Sequence, residues 1–94
     1  MARPEVTSHD IQVALDKFDE LGRDRFLAEY GFREARSYFL VRDGREYDSK
    51  AIVGAAHRLR HGEVLAASEF SGGAATVKPL LEKLEFEVRV HRNP

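Results

Sequence analysis

The spacing of apolar residues divides the chain into short segments of helical or extended periodicity. The first segment has apolar positions at steps of four and three: Ile11, Leu15, Phe18 and Leu21. This spacing predicts a helix that begins at Thr7 or Ser8 and ends at Gly22. A second short helix is predicted over about residues 24–29, and Gly31 ends it. Together the two segments predict a helical hairpin.

The middle of the chain changes to an extended pattern. Residues 38–41 (Tyr-Phe-Leu-Val) favour a strand, and Asp43-Gly44 follows as a strong signal for a two-residue turn. A return strand over residues 45–47 completes the pattern. This region therefore predicts a β-hairpin.

Two further helices are predicted after the hairpin. Asp48 or Ser49 caps a third helix that ends at Gly62, and Ser71-Gly72-Gly73 opens a fourth helical stretch. Pro79 lies inside the fourth stretch. Because proline has no backbone N–H, either this helix kinks or its regular part begins near Lys78.

The end of the chain predicts one more strand. Residues 86–91 alternate apolar and polar side chains, as a half-buried strand does. We expect this strand to join the hairpin. The predicted fold is α+β: a small single domain with about four helices packed on a three-stranded antiparallel sheet, in the order helical hairpin, β-hairpin, helix, helix, C-terminal strand.

Length and composition narrow the class of protein. The chain has 94 residues, of which 43% are hydrophobic and 33% charged, as in a globular domain with one small core. It contains no Cys, and the N-terminus has no apolar stretch typical of a signal peptide, so we expect an intracellular protein. No apolar run is long enough to predict a membrane span.

The charges are unevenly distributed, although the net charge is −1. Residues 5–29 contain seven acidic and three basic side chains, whereas residues 33–60 contain seven basic and four acidic ones. The overall charge argues against binding of polyanions through bulk charge. Because basic residues are in excess in residues 33–60 but not in residues 5–29, this middle third of the chain is the candidate anion-facing surface.

Three stretches could hold phosphate groups or bases. Ser49 and Lys50 lie at a predicted helix N-terminus, where backbone N–H groups are unpaired, and Ser71-Gly72-Gly73 repeats this arrangement. On spacing alone, a simple helix cap or turn is the favoured explanation of each of these two helix starts. Around the hairpin, arginines alternate with aromatic residues, a combination suited to nucleic acids. The members of this set are Arg33, Arg36, Tyr38, Arg42, Arg45 and Tyr47.

Catalytic and metal-binding motifs are weak by comparison. His57 and His61 have the spacing of two ligands of one metal ion, but no third ligand occurs at a spacing typical of a metal-binding motif. The sequence has no nucleotide-binding loop of the GxxxxGK[ST] type, no Ser-His-Asp signature and no distinctive carboxylate pair. We therefore expect no cofactor, no metal and no catalytic residue in this chain.

Two motifs, Tyr47-Asp48-Ser49-Lys50-Ala51-Ile52 and Phe70-Ser71-Gly72-Gly73, carry a resemblance to a known family. At their mutual spacing they resemble the N-terminal head domain of actinobacterial McrA-like type IV restriction endonucleases. The resemblance covers nearly the whole chain, from Leu21-Gly22-Arg23-Asp24 to residues 84–88. One departure is Glu85, which stands where a glycine commonly precedes the last strand.

The resemblance implies that residues 1–94 form one non-catalytic head domain in the N-terminal part of a longer HNH nuclease of the bacterial cytoplasm. It implies double-stranded, modified DNA as the partner, and a homodimer formed through the full-length nuclease. The characteristic positions that it carries over are residues 47–50 and 71–73.

The sequence thus predicts a double-stranded DNA-binding module that reads 5-methylcytosine or 5-hydroxymethylcytosine for a modification-dependent endonuclease. The alternative is a protein-interaction or dimerisation head that positions nuclease subunits without binding DNA. The expected DNA-binding residues are Arg33, Arg36, Tyr38, Arg42, Arg45, Tyr47, Ser49, Lys50, Ser71, Gly72 and Gly73.

Overall fold

The computed structural model describes residues 5–63 and 76–91. Within these ranges the fold is α+β, as predicted, with four helices and a three-stranded antiparallel sheet. The elements in chain order are α1 (Ser8–Leu21), α2 (Arg23–Tyr30), β1 (Tyr38–Arg42), β2 (Arg45–Asp48), α3 (Ser49–His61), α4 (Val77–Lys83) and β3 (Glu87–Val90).

Helix α1 begins with a capping box at Thr7, which decides between the two predicted caps. The Asp10 backbone N–H donates to Thr7 Oγ1 at 3.2 Å, and the Thr7 N–H donates to Asp10 Oδ2 at 2.8 Å. These bonds satisfy two amide groups that would otherwise be unpaired at the helix start. Burial disfavours the charged form of Asp10, but the bonds from Thr7 and the nearby Arg60 outweigh it and lower the pKa of Asp10.

The helical hairpin is confirmed, with α2 one residue longer at each end than predicted. Gly31 ends α2 in the left-handed conformation (φ 77°), and the Phe32 N–H donates back to the Leu27 carbonyl at 2.9 Å. The chain therefore leaves α2 at a defined angle. Residues 32–37 then lead to β1.

The predicted hairpin and third strand are confirmed. Asp43 and Gly44 both have positive φ (52° and 76°), the turn conformation that matches the twist of a two-residue hairpin. Strand β1 lies at the centre of the sheet, between β2 and β3. In register, Leu40 lies opposite Tyr47 on one side and Val88 on the other.

Helix α4 starts at Val77, so Pro79 lies in its first turn, where backbone N–H groups have no partner within the helix. The proline is therefore accommodated without a kink. Beyond the helix, Glu85 has φ 69°; its N–H donates to the Glu82 carbonyl at 3.0 Å and the Phe86 N–H donates to the Leu81 carbonyl at 2.9 Å. This is a Schellman motif, which explains why a glycine would suit position 85.

The core lies between the helices and one face of the sheet. Leu40 and Tyr47 point into it from β1 and β2, and α3 packs closely because it contains small residues. A Cβ atom on Gly54 would lie 2.2 Å from the Phe32 ring, so the glycine makes room for that ring. The buried apolar residues are Ile11, Ala14, Leu15, Phe18, Phe26, Leu27, Tyr30, Phe32, Leu40, Tyr47, Ala51, Ile52, Val53, Ala55, Ala56, Val77 and Leu81.

None of the helices in the described ranges has the length and apolar character needed to cross a membrane.

Candidate nucleic-acid interface

The segment between α2 and β1 presents a cluster of arginines to solvent. Residues 33–36, which we call the arginine loop, line an open pocket of about 610 Å³ together with Arg23 at the start of α2. Three of the five lining residues are arginines and one, Glu34, is acidic. The pocket lining therefore carries a net positive charge.

A buried carboxylate fixes two of the residues that line this pocket. Asp48, 2% exposed, accepts hydrogen bonds from Arg23 Nε at 2.9 Å and Nη2 at 2.8 Å. Its Oδ2 also accepts the backbone N–H of Ala35 at 2.7 Å, in the middle of the arginine loop. Because a buried charge is tolerated only when it is paired and hydrogen-bonded, these contacts fix the loop against the start of α3.

Arg23 is held by two carboxylates of different exposure. Nε and Nη2 bind Asp48, whereas Nη1 lies 3.1 Å from Oε2 of Glu34. The hydrogen bond to Asp48 raises the pKa of Arg23; burial opposes this, and the charges of Asp48, Glu34 and Asp24 add to it. Arg23 therefore stays charged at the edge of the pocket.

Arg33 and Arg36 differ from Arg23 in their environment. Both are exposed, and neither forms an ion pair or hydrogen bond with another residue in the described part of the chain. Two guanidinium groups are thus directed to solvent from one short loop. A guanidinium group can donate two parallel hydrogen bonds to a phosphate, so this loop is chemically suited to bind anions.

The predicted hairpin residues lie in a different environment, against the acidic side of α1. Arg42 donates to Gln12 and Asp16 through Nη1, at 2.9 and 3.0 Å, and to Asp19 through Nη2 at 2.9 Å. Arg45 pairs with Asp19 at 3.2 Å, and the Tyr47 hydroxyl donates to the same carboxylate at 2.9 Å. These residues, which we call the α1–hairpin cluster, join the two elements.

Residues 49 and 50 begin α3, as predicted. Ser49 is 2% exposed and its hydroxyl donates to the Tyr38 carbonyl at 2.9 Å, so it links the helix to β1. Lys50 and Tyr38 are partly buried. The side chain of Asp48 makes no cap hydrogen bond, since its oxygens bind Arg23 and Ala35 instead.

The remaining predicted positions, Ser71, Gly72 and Gly73, lie outside the described residues. Of the full predicted set, the structure brings Arg33 and Arg36 together at the pocket and places Arg42, Arg45 and Tyr47 together at the α1–hairpin cluster.

Sequence reasoning missed Arg23 and Glu34 as members of the site. Arg23 lies 25 residues from Asp48, its partner, so no local spacing connects them. The available signal was weak: a charged residue directly after a helix-ending glycine. Their role depends on how α2 packs beside the hairpin.

The rings of the two histidines of α3 lie close together, with centroids 4.5 Å apart and planes inclined by 41°. His61 Nε2 lies 2.8 Å from the Glu5 carbonyl, and His57 Nδ1 lies 3.4 Å from the Glu63 carbonyl. Across residues 5–63 and 76–91, no group of three His, Cys, Asp or Glu side chains is arranged to hold a metal ion.

The fold and this arginine-lined surface define a small α+β head module. The chain belongs to the family of ScoMcrA-like N-terminal head domains, whose family model matches residues 4–90. No curated protein matches the sequence.

A solved structure is similar to this chain over almost its whole length. It is that of the type IV phosphorothioation-dependent restriction endonuclease ScoMcrA, with 31% sequence identity and a TM-score of 0.70. The match covers 96% of the present chain and 14% of the ScoMcrA chain. The resemblance seen in the sequence motifs is therefore confirmed.

Proposed function

We propose that this domain binds double-stranded DNA through the arginine loop, as the non-catalytic reading module of a modification-dependent restriction endonuclease of the bacterial cytoplasm. The observation that carries the proposal is the pair of exposed arginines, Arg33 and Arg36, which line one pocket together with Arg23. The HNH nuclease, and a homodimer formed through it, would belong to the longer protein.

The chemistry of the pocket favours the DNA backbone as its first ligand. Guanidinium groups pair with phosphate oxygens in a planar, two-bond geometry, and such contacts position a protein on the duplex without reading its sequence. Asp48 supports this by fixing the loop backbone at Ala35, so the backbone of the loop does not have to be ordered when DNA binds. Lys50 and Tyr38, near the start of α3 and of β1, are proposed as neighbouring contacts.

The roles that we propose for the other predicted DNA-binding residues depend on the residues that they bind in this structure. Arg42 and Arg45 would have to leave Asp16 and Asp19 to contact DNA, so we propose that they act after the loop has bound. Tyr47 and Ser49 are both buried, so we propose that they stabilise the DNA-binding surface without contacting DNA themselves. Ser71, Gly72 and Gly73 stay as predicted phosphate contacts.

Two observations suggest which DNA modification the domain reads. The similar protein ScoMcrA is a phosphorothioation-dependent enzyme, and the sequence resemblance also suggested 5-methylcytosine or 5-hydroxymethylcytosine. Phosphorothioate changes the backbone, which the arginine loop is suited to contact, whereas the methylated bases would require a contact in a groove.

Fluorescence anisotropy with matched duplexes tests this proposal. The chain is titrated at two salt concentrations against four duplexes of one sequence: unmodified, 5-methylated, 5-hydroxymethylated and phosphorothioated. We expect binding that weakens as salt rises and is tightest for one modified duplex. Equal binding to all four would leave a nonspecific DNA-binding module, and no binding to any would contradict the proposal.

One observation favours the alternative, a protein-interaction head. Phe39 and Val41 alternate with the buried Leu40 and therefore lie on the opposite face of the sheet, where both are partly exposed. Arg89 and His91 bind Glu46 across this face, at 3.1 and 2.7 Å. The bond from His91 lowers the pKa of Glu46; burial opposes this, and Arg89 adds to it.

Light scattering after size-exclusion chromatography tests the alternative. A dimer at high concentration that is lost when Phe39 is replaced by Ser, together with no DNA binding, would support an assembly head. A monomer at every concentration would count against dimerisation through this domain.

A further inference from the structure

The pocket lined by Arg23 and the arginine loop also contains a carboxylate. Glu34 lies within the arginine loop, between Arg33 and Arg36, and its Oε2 is 3.1 Å from Nη1 of Arg23. A carboxylate oxygen at this distance from a guanidinium group takes the position that a phosphate oxygen would take. The pocket is thus partly occupied by an internal anion.

The two carboxylates on Arg23 differ in how firmly they are held. The side chain of Asp48 is 3% exposed and accepts three hydrogen bonds, whereas that of Glu34 is 66% exposed and pairs with Arg23 at a single nitrogen. An exposed ion pair of this kind is weak and exchanges readily with other ions. Glu34 can therefore leave Arg23 while Asp48 keeps the guanidinium group in place.

We propose that Glu34 is an exchangeable competitor for phosphate: its carboxylate covers Arg23 in the free domain and is displaced when a phosphate group binds between Arg23, Arg33 and Arg36. This inference rests on the proposed function for its ligand, a DNA phosphate. It assigns Arg23 a direct contact to the anion through Nη1, a role that the sequence did not indicate. It also makes Glu34 a residue that limits affinity.

The first test compares Glu34→Gln with a matched control, Glu82→Gln. Each variant removes one exposed negative charge and one ion pair, but Glu82 pairs with Lys78 on α4 and does not line the pocket. We expect Glu34→Gln to tighten duplex binding about twofold to fivefold, the range set by the small free energy of an exposed pair, and Glu82→Gln to have a smaller effect. Equal effects of the two substitutions would overturn the inference.

A second measurement separates this inference from the proposed function. Inorganic phosphate is titrated into the wild-type chain and both variants while the side-chain Nε–H signals of Arg23, Arg33 and Arg36 are followed by NMR. We expect these signals to shift at lower phosphate concentration in Glu34→Gln than in the other two proteins. Identical or absent responses would overturn the inference, even if duplexes bind elsewhere on the domain.

The reverse result is also informative. If the arginine signals respond to phosphate as expected but no duplex binds, the anion site and its competitor stand, and double-stranded DNA is wrong as the ligand.

Discussion

At the scale of single residues, Asp48 shows how local and tertiary roles compete. Its position before α3 predicts a helix cap, and it is the N-cap residue, but its side chain binds Arg23 and Ala35. The sequence motif that carries the family resemblance, residues 47–50, is thus mainly structural at its first three positions, all of which are buried. Motif spacing identified the right residues without indicating which partners they bind.

Replacing Asp48 by Asn should destabilise the domain by about 2 kcal/mol, because it removes charged hydrogen bonds from a buried site while Arg23 stays partly solvated. Urea unfolding measures this change. Asp43→Asn is the control, since Asp43 is exposed in the hairpin turn and Asn tolerates its positive φ. Equal stability of Asp48→Asn and the wild type would contradict the anchoring role of this carboxylate.

Glu85 is the clearest case in which a departure from the family pattern has a structural cost. It adopts φ 69°, a conformation that disfavours residues with a Cβ atom. Glu85→Gly should therefore stabilise the domain by about 1 kcal/mol. Glu85→Gln separates backbone strain from charge, because it keeps the Cβ atom; a gain as large as that of Glu85→Gly would show that charge, not backbone conformation, is responsible.

At the scale of elements, local signals predicted helix ends and turns well. The Gly22, Gly31 and Gly62 boundaries and the Asp43-Gly44 turn depend on backbone conformations that few other residues adopt, so they are visible in the sequence. The choice between Thr7 and Ser8 was open because both can cap a helix. What decided it is Asp10, three residues after Thr7, which completes the capping box.

Thr7→Ala should cost about 1 kcal/mol of stability, the usual effect of losing a helix cap, whereas Ser8→Ala should change stability little. Thermal unfolding of the two variants provides the comparison. Similar losses in both would contradict the assignment of the cap to Thr7.

The capping box also predicts a dependence on pH. The pKa of Asp10 is lower in the folded state than its ordinary value. The charged carboxylate therefore stabilises the fold fully at a pH above the ordinary pKa, and this stabilisation is lost as the pH falls through the lower pKa of the folded state. The stability difference between wild type and Asp10→Asn should therefore shrink on acidification below the ordinary value of 3.8. A difference that stays constant over this acidic range would show that the charge of Asp10 has no part in the cap.

At the scale of the whole molecule, the uneven charge along the sequence has two different outcomes. The acidic residues of α1 neutralise the hairpin arginines, since Asp16 and Asp19 pair with Arg42 and Arg45. Among the described residues, Arg33 and Arg36 have no such acidic partner, and Glu34 of the same loop binds Arg23 instead. The sequence predicted a basic middle third, but not which arginines stay exposed, because that depends on which elements pack together.

The salt dependence of DNA binding tests whether Arg33 and Arg36 contact DNA phosphates. The slope of log affinity against log salt is measured by anisotropy for wild type, for Arg33→Gln/Arg36→Gln and for Lys17→Gln/Lys83→Gln, which removes the same charge from α1 and α4. We expect the arginine double variant to lower the slope by about two units, one for each lost phosphate contact, and the lysine variant to leave it nearly unchanged. An unchanged slope in the arginine variant, or an equal loss in the lysine variant, would contradict DNA binding through the arginine loop.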